Sequence, residues 1–206
     1  RALESWVTKA ELEAVNNLGL LAPVQVSGKK MVLIHAAAAH PDKLYPLASW
    51  ATLIKRLYKE LDLVPVFSGD KQDVALYQEL AELSGLQSIA LNFAGRLSLR
   101  ESMALYSLMD LAVCVDSGPA HLAAAVRVPT ISLFGPTDPS RWQPYGARNK
   151  ALFDSSLSCR PCNYRKVCDN RPCLTELSVD LIFDQCLEVL KYKEGVCKGA
   201  QDVSGI

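Results

Sequence analysis

Two short polar turns hold the side chains of this chain that are best suited to binding a ligand. Each turn follows an apolar run, residues 111–115 before the first and residues 129–134 before the second. The pattern predicts strand, turn, helix, strand and turn. Ligands of open α/β sheets bind at the carboxyl ends of parallel strands, so we expect both turns to face one site. The candidate side chains are Asp116, Ser117, Gly118, Pro119 and His121 in the first turn, and Thr137 and Asp138 in the second.

The first turn has the composition of a phosphate-binding helix start. Pro119 suits the first helical position, where no amide hydrogen is needed, and Gly118 allows a ligand to approach the backbone closely. The amides and the positive dipole end of the helix then favour a phosphate. Asp116 can accept from sugar hydroxyls or hold the loop, and His121 can reach a phosphate or a hydroxyl. Alternatively, Asp116 and Ser117 only cap the helix and His121 packs in the interior. The second polar turn at the same edge of the sheet favours a binding site over this alternative.

Two further loops follow predicted strands and add charge. The loop after the first strand is rich in alanine, including Ala38 and Ala39, and its Lys43 suits a diphosphate. Asp70 and Asp73 follow the next strand, where a carboxylate often accepts hydrogen bonds from ribose hydroxyls. Alternatively, Lys43 is a solvated surface residue, and Asp70 and Asp73 belong to a solvated helix start.

Four cysteines, Cys159, Cys162, Cys168 and Cys173, lie within one insert at residues 155–175. The first pair has the C-x-x-C spacing of metal ligands, and four thiolates can form a tetrahedral site. The wider spacing of the second pair leaves three interpretations open: a structural zinc or iron site, one or two disulfides, or free thiols. The insert is structural in each case, because no histidine or free carboxylate is placed there to do chemistry.

Strands and helices alternate along most of the chain. Continuous apolar runs predict buried strands, and helical periodicity predicts amphipathic helices between them. The predicted strands cover residues 31–35, 63–67, 88–91, 111–115 and 129–134, and the sheet ends there or with a short strand at residues 151–153. The predicted helices cover residues 8–18, 47–61, 73–83, 98–108, 119–127 and 178–192. This alternation is typical of an α/β fold with a Rossmann-like, doubly wound parallel sheet.

Composition divides the chain into three parts. Residues 1–28 are expected to be a helix and linker from an interdomain region, the linker running over residues 23–30. Residues 29–192 are expected to form one Rossmann-like domain that includes the Cys-rich insert and a C-terminal helix, and residues 193–206 a frayed tail. Because the chain begins with Arg1 rather than methionine, we expect a trimmed or partial protein.

Bulk properties narrow the classes of function. The 206 residues carry 22 basic and 22 acidic side chains, so a nucleic-acid-binding surface is not expected. No apolar run approaches the ~18 residues of a membrane span, and no signal peptide is recognised, which favours a reducing cytoplasm. The sequence lacks G-x-S-x-G, H-E-x-x-H, Walker A and G-x-G-x-x-G motifs, which disfavours hydrolases and dinucleotide oxidoreductases.

In their order, the motifs resemble the C-terminal half of glycosyltransferase family 9, the bacterial ADP-heptose:lipopolysaccharide heptosyltransferases. The resemblance covers about residues 30–192, and its two central motifs together are highly specific. The matching segments are the strand at residues 32–35 with Lys43 and Pro46, Ser68-Gly69-Asp70, residues 94–99, residues 116–125, Pro129-Thr130, residues 133–139, Pro144-Tyr145-Gly146 and the Cys-rich insert.

The resemblance implies a GT-B enzyme with two Rossmann-like domains, of which the C-terminal one binds the sugar nucleotide. It implies that Lys43 contacts the diphosphate and that the turn at residues 116–121 holds the phosphates and the heptose. The backbone near Leu97 would hold adenine, and Asp70 or Asp73 would hold ribose. Ala38 and Ala39 stand where the family often carries Gly, Ser or Thr, so only backbone amides serve the phosphates there.

The same resemblance places the general base in an N-terminal domain that this sequence does not include. It therefore implies a donor-binding part, inactive by itself, of an inverting enzyme that transfers heptose from ADP-heptose to the lipopolysaccharide inner core. No metal or other cofactor is expected for the chemistry. A cytoplasmic protein, peripheral on the inner membrane, is expected. Another nucleotide-sugar donor, a protein acceptor and a non-catalytic nucleotide-binding domain are the alternatives.

Overall fold

The computed structural model of the protein describes residues 6–165, 168 and 170–199. Its centre is a six-stranded sheet in which every neighbouring pair is parallel, with the order β3-β2-β1-β4-β5-β6. The strands are β1 (Lys30–His35), β2 (Leu63–Phe67), β3 (Leu91–Asn92), β4 (Leu111–Val115), β5 (Thr130–Leu133) and β6 (Lys150–Leu152). The predicted α/β, Rossmann-like fold is confirmed.

Helices cover both faces of the sheet. They are α1 (Lys9–Asn17), α2 (Ala22–Ser27), α3 (Leu47–Leu61), α4 (Val74–Ser84), α5 (Leu99–Ser107), α6 (Gly118–Ala125), α7 (Pro139–Trp142), α8 (Pro172–Thr175) and α9 (Val179–Gly199). No helix in the described part of the chain is long and apolar enough to cross a membrane.

Alternate residues of each central strand enter opposite cores. Val32 and Ile34 of β1 pack with α3, α4 and α9, while Met31 and Leu33 pack with α1, α2, α5 and α6. Side chains alternate across a strand, so a strand covered on both faces needs an unbroken apolar run. This requirement explains why the strongest apolar segments of the sequence became the central strands.

The strand order reverses between β1 and β4. From β1 the chain first builds outward to β2 and β3, and then returns to place β4 on the other side of β1. His35 ends β1 and is paired with Cys114 of β4, so the loops that follow these two strands leave the sheet side by side. In a doubly wound sheet the ligand crevice lies at this switch point.

Several predicted element bounds are corrected by the structure. The predicted linker at residues 23–30 contains α2, which has proline in its first turn and ends at Gly28, where φ is 66°. The predicted strand at residues 88–91 shifts to Leu91–Asn92, because the amides of Ile89 and Ala90 bond back to Leu86. The short helices α7 and α8 were not predicted from the sequence.

The C-terminal end of the chain differs from the prediction, and the N-terminal end packs against the domain. The predicted frayed tail at residues 193–206 begins as helix, since α9 continues to Gly199; residues 200–206 lie outside the described part. At the other end, α1 lies against α5, and the guanidinium of Arg100 donates to Glu11 with Nε–Oε1 at 2.6 Å. The assignment of residues 1–28 to an interdomain region stays a prediction.

Candidate functional site

A cavity of about 630 Å³ opens at the carboxyl ends of β1, β2 and β4. Its wall joins the loops after these three strands and the start of α6, which is where the parallel sheet predicts a ligand. The predicted site residues in the wall are Ala38, Ala39, Lys43, Asp70, Asp73, Asp116, Ser117, Gly118 and Pro119. The sequence also placed Leu97, His121, Thr137 and Asp138 at the site, and these four lie outside the wall. Leu97 packs on the core of α1 and α5, and His121 is half-buried in the first turn of α6. Thr137 is buried behind Asp116, and the Asp138 side chain caps α7 by accepting from the Ser140 amide.

One carboxylate oxygen organises the centre of this wall. The Lys43 ammonium lies 2.7 Å from Oδ2 of Asp116, and the Thr137 hydroxyl donates to the same oxygen at 2.6 Å. Asp116 and Thr137 are both buried, which makes the pair of contacts rigid. Of the two roles considered for Asp116, the geometry supports holding the loop, since this oxygen is committed to Lys43 and Thr137.

Lys43 remains charged in this setting. Partial burial acts to lower the pKa of its ammonium, but the hydrogen bond and the charge of Asp116, aided by the Tyr164 hydroxyl, raise that pKa above its usual value. An ammonium that is held in place by a buried carboxylate keeps its charge ready for an anion. The wall therefore presents one fixed positive charge to the cavity.

The start of α6 completes the anion-binding surface. Ser117 stands at the N-cap position, yet its hydroxyl donates to the Val115 carbonyl at 3.1 Å. Among the described residues no side chain caps α6, so the interpretation of Ser117 and Asp116 as simple caps is wrong. The positive end of the helix dipole and the backbone at Gly118 face the cavity instead.

The two acidic residues of the β2 loop form a local capping arrangement. The amide of Asp70 donates to Oδ2 of Asp73 at 2.8 Å, and the Asp70 side chain in turn accepts from the Asp73 backbone. A Cβ on Gly69 would lie 2.5 Å from that same Asp73 oxygen, so only glycine fits beneath the pair. Both carboxylates still line the cavity, where a ribose would need acceptors.

A neutral hydrogen-bond chain lies under the cavity floor. His35 contacts the Tyr77 hydroxyl at 3.0 Å, and that hydroxyl donates to the Ser68 carbonyl at 3.0 Å. Because the single proton of Tyr77 goes to Ser68, Nδ1 of His35 must carry the proton of their shared bond. Burial lowers the pKa of His35 to about 4, so the ring is neutral at pH 7. Sequence reasoning placed His35 at a strand end without this role.

The Cys-rich insert adds a residue that sequence reasoning missed. Tyr164 lies in the cavity wall, its ring centroid is 4.1 Å from that of His40, and its hydroxyl is close enough to Lys43 to raise the pKa of that ammonium. The only sequence signal was an aromatic residue close to C-x-x-C, which does not indicate a reach back to the β1 loop. The Cys-rich insert therefore contributes a residue to the cavity wall.

The four clustered cysteines surround a second cavity of about 110 Å³. The structure records all four as free thiols, so the disulfide interpretation is not seen for them. Burial raises the pKa of Cys173, an effect that nearby Arg160 opposes and the other three thiols reinforce. Within the described residues, no three His, Cys, Asp or Glu side chains are arranged to hold a metal ion.

Heptosyltransferases are found among the known proteins that this chain resembles in sequence and in structure. Lipopolysaccharide heptosyltransferase 1 of Pseudomonas aeruginosa is 33% identical over 164 residues, which are 78% of this chain and 44% of the relative. The structure of Escherichia coli ADP-heptose LPS heptosyltransferase II matches with a TM-score of 0.76 at 21% identity, over 93% of this chain and 54% of that one. The iron-containing heptosyltransferase TibC of Escherichia coli, in complex with ADP-D-beta-D-heptose, matches with a TM-score of 0.61 at 16% identity, over 80% and 46%.

The chain spans about half the length, or less, of the curated relatives it matches. The two structural likenesses show a shared fold, which fits a sheet whose crevice lies at the switch point between β1 and β4. The sequence model of glycosyltransferase family 9 (heptosyltransferase) matches residues 4–172, which is most of the chain. The protein belongs to glycosyltransferase family 9.

Proposed function

We propose that this chain is the donor-binding part of an inverting heptosyltransferase that transfers heptose from ADP-heptose to the lipopolysaccharide inner core. The observation that carries the proposal is the Lys43 ammonium, fixed by buried Asp116 beside the uncapped start of α6 in a cavity of about 630 Å³. Such a wall suits a diphosphate, which needs a cation and backbone amides together. Family membership supplies the class of reaction.

The proposed reaction needs charge stabilisation from this chain more than proton transfer. A base outside this chain takes the proton of the acceptor hydroxyl, and the oxygen attacks the anomeric carbon of the heptose. The bond between that carbon and the diphosphate oxygen breaks with inversion, and ADP leaves with the electron pair. Lys43 and the α6 N-terminus stabilise the charge that develops on the leaving diphosphate. No catalytic role is assigned to Asp116.

The remaining contacts of the donor are proposed from where the structure places the residues. Asp70 and Asp73 line the cavity on the β2 side and would accept from the ribose hydroxyls. The backbone near Leu97 would hold adenine. The amides of the loop with Ala38 and Ala39 would contact the phosphates.

Two further residues keep proposed roles beside the wall. His121 would reach a phosphate or the sugar from the first turn of α6. Thr137 acts through Asp116 and so through Lys43.

The proposed setting of the whole enzyme follows from its acceptor. A core oligosaccharide is carried on a lipid, so the enzyme would work in the cytoplasm and touch the inner face of the inner membrane. The lipopolysaccharide would be bound by the N-terminal domain that the family resemblance implies. Nucleic acid is not a proposed partner, since the charges of the chain balance.

We also propose a structural zinc or iron ion for the Cys-rich insert. Four thiols around one cavity of about 110 Å³ are a donor set that suits either metal. The described side chains are not arranged as ligands of one ion, so the support is the chemistry of the donors and not their geometry. The ion would fix the insert and take no part in the transfer. Elemental analysis of protein purified without added metal tests this, and the absence of bound zinc and iron would refute it.

Calorimetry with ADP, UDP and GDP tests the donor-binding role. We expect ADP to bind more tightly than UDP or GDP. Tighter binding of UDP or GDP would assign another donor, and no binding of any of them would remove the donor-binding role. Full-length enzyme given ADP-heptose and core acceptor should release ADP and form product; nucleotide binding without product would indicate a non-catalytic nucleotide-binding domain.

A further inference from the structure

We infer that Tyr164 of the Cys-rich insert is a donor-binding residue whose hydroxyl donates a hydrogen bond to the sugar-linked phosphate of the nucleotide sugar. The inference rests on the proposed donor-binding function and deepens it. It makes the insert a part of the binding site, where the sequence alone indicated a purely structural unit.

The position of Tyr164 is the first step. Its side chain lines the cavity together with Lys43 and is about one-third exposed (37%), so it is neither buried in the core nor free on the surface. The ring lies on His40, with centroids 4.1 Å apart and planes inclined by 35°. The hydroxyl lies close enough to Lys43 to raise the pKa of its ammonium. Tyr164 thus stands over the one ammonium that is proposed to hold the diphosphate.

The direction of the hydrogen bonds is the second step. An ammonium has three donors and no acceptor. Lys43 donates to Asp116, and towards an ammonium the nearby Tyr164 oxygen can only act as an acceptor, which leaves a third hydrogen for a ligand. Because the Tyr164 oxygen accepts from Lys43, its own proton is left for another acceptor. A phosphate oxygen beside Lys43 would receive both hydrogens.

The way the insert is anchored is the third step. The amide of Asn163 donates to the Pro136 carbonyl at 2.9 Å, and Nε of Arg160 donates to the Gly135 carbonyl at 2.6 Å. The guanidinium of Arg171 donates to the Pro41 carbonyl. These bonds fasten the insert to the β5 loop and to the β1 loop, the two loops that carry Thr137 and Lys43.

Backbone conformation shows that this placement is enforced. Asn163 and Tyr164 have φ values of 47° and 63°, a left-handed pair that favours glycine. Non-glycine residues hold such angles where the surrounding structure over-determines them, and they cluster at functional sites. Here the pair turns the Tyr164 ring back over the cavity, which an extended segment would not do.

The experiment compares ADP and AMP binding to the 206-residue chain by calorimetry. Tyr164→Phe removes only the hydroxyl, and we expect it to weaken ADP binding about tenfold, as loss of a hydrogen bond to a charged group does. AMP lacks the second phosphate, so its affinity should change less than twofold. Tyr145→Phe is the matched control, because Tyr145 is 68% exposed and lies outside the cavity wall; both affinities should be unchanged.

The possible results separate this inference from the proposed function. If wild-type chain binds ADP and Tyr164→Phe binds it equally well, the hydroxyl makes no donor contact and the inference is overturned. Equal weakening of ADP and AMP also overturns it, since the contact would then not involve the sugar-linked phosphate. If wild-type chain binds neither nucleotide, the donor-binding function fails first and takes the inference with it. Tyr164→Ala, checked for folding by circular dichroism, should lose at least as much ADP affinity as Tyr164→Phe.

Discussion

Mildly acidic conditions should destabilise the folded protein through His35. The ring is fully buried, and burial lowers its pKa from 6.5 to about 4 in the folded state. In the unfolded chain the ring is solvated and takes up a proton near pH 6.5. Between these two values the unfolded state binds more protons than the folded state, so stability must fall as the pH drops.

The magnitude follows from the two pKa values of His35. With 6.5 for the unfolded and about 4 for the folded ring, linkage gives a loss of ~2 kcal/mol in the free energy of unfolding between pH 7 and pH 5. The full contribution is present above the unfolded pKa and is lost progressively as the pH falls toward the folded one. For a domain of this size, ~2 kcal/mol is a measurable share of the total stability.

Urea unfolding at pH 7 and pH 5, followed by circular dichroism, measures this loss. Carboxyl groups also take up protons as the solution becomes acidic, so a variant must isolate the histidine. His35→Asn keeps an N–H close to the Nδ1 position but takes up no proton. It should lower stability at pH 7 and lose ~2 kcal/mol less than wild type on going to pH 5.

A control variant at a second histidine tests whether the loss of stability belongs to His35. His40→Asn alters a histidine whose side chain is 44% exposed, and it leaves the buried ring of His35 in place. We expect this variant to lose as much stability between pH 7 and pH 5 as wild type does. If His35→Asn and wild type lose equal stability between the two pH values, His35 takes up its proton alike in folded and unfolded protein, and the reasoning is refuted.

Three further outcomes concern the cavity and its supports. Lys43→Met should weaken ADP binding by ~2 kcal/mol, about 30-fold, because the diphosphate loses its cation and the buried Asp116 carboxylate loses its counter-charge; an unchanged dissociation constant in calorimetry would contradict this. Thr137→Val should reduce the free energy of urea unfolding by about 1.5 kcal/mol, since the Asp116 carboxylate loses a hydrogen bond of 2.6 Å. Gly69→Ala should lower the thermal midpoint, because its Cβ would lie 2.5 Å from Oδ2 of Asp73.

The sequence predicts well those parts of the fold that are determined mainly by the burial of apolar side chains. The runs at residues 31–35, 63–67 and 111–115 must be buried on both faces, and they became β1, β2 and β4. The helix α2 was missed because Pro23 and Gly28 read as linker residues, although proline also starts helices and glycine ends them. Local sequence patterns do not distinguish a linker from a helix here. Packing against the core that contains α1, α5 and α6 decides for the helix.

The site shows the same limit at the level of side chains. Strand-end reasoning brought Lys43, Asp116 and Thr137 to one edge of the sheet, because parallel strands end together. It did not show that one oxygen of Asp116 contacts the Lys43 ammonium and accepts a hydrogen bond from Thr137. Tyr164 could not be found at all, since its approach depends on two left-handed residues and on the anchoring of the insert.

Preorganisation around Lys43 supports the proposed binding of a diphosphate at this site. The ammonium lies against Asp116 and lines the cavity where a phosphate oxygen would lie, and the nearby Tyr164 oxygen would accept another of its hydrogens. The raised pKa of Lys43 keeps it charged before the ligand arrives, and neutral His35 adds no competing charge beneath it. Little rearrangement is then needed when negative charge moves onto the leaving group, and an electrostatic site is most effective in that condition. In the proposed site, the buried Asp116 carboxylate holds the Lys43 cation in place for the phosphate.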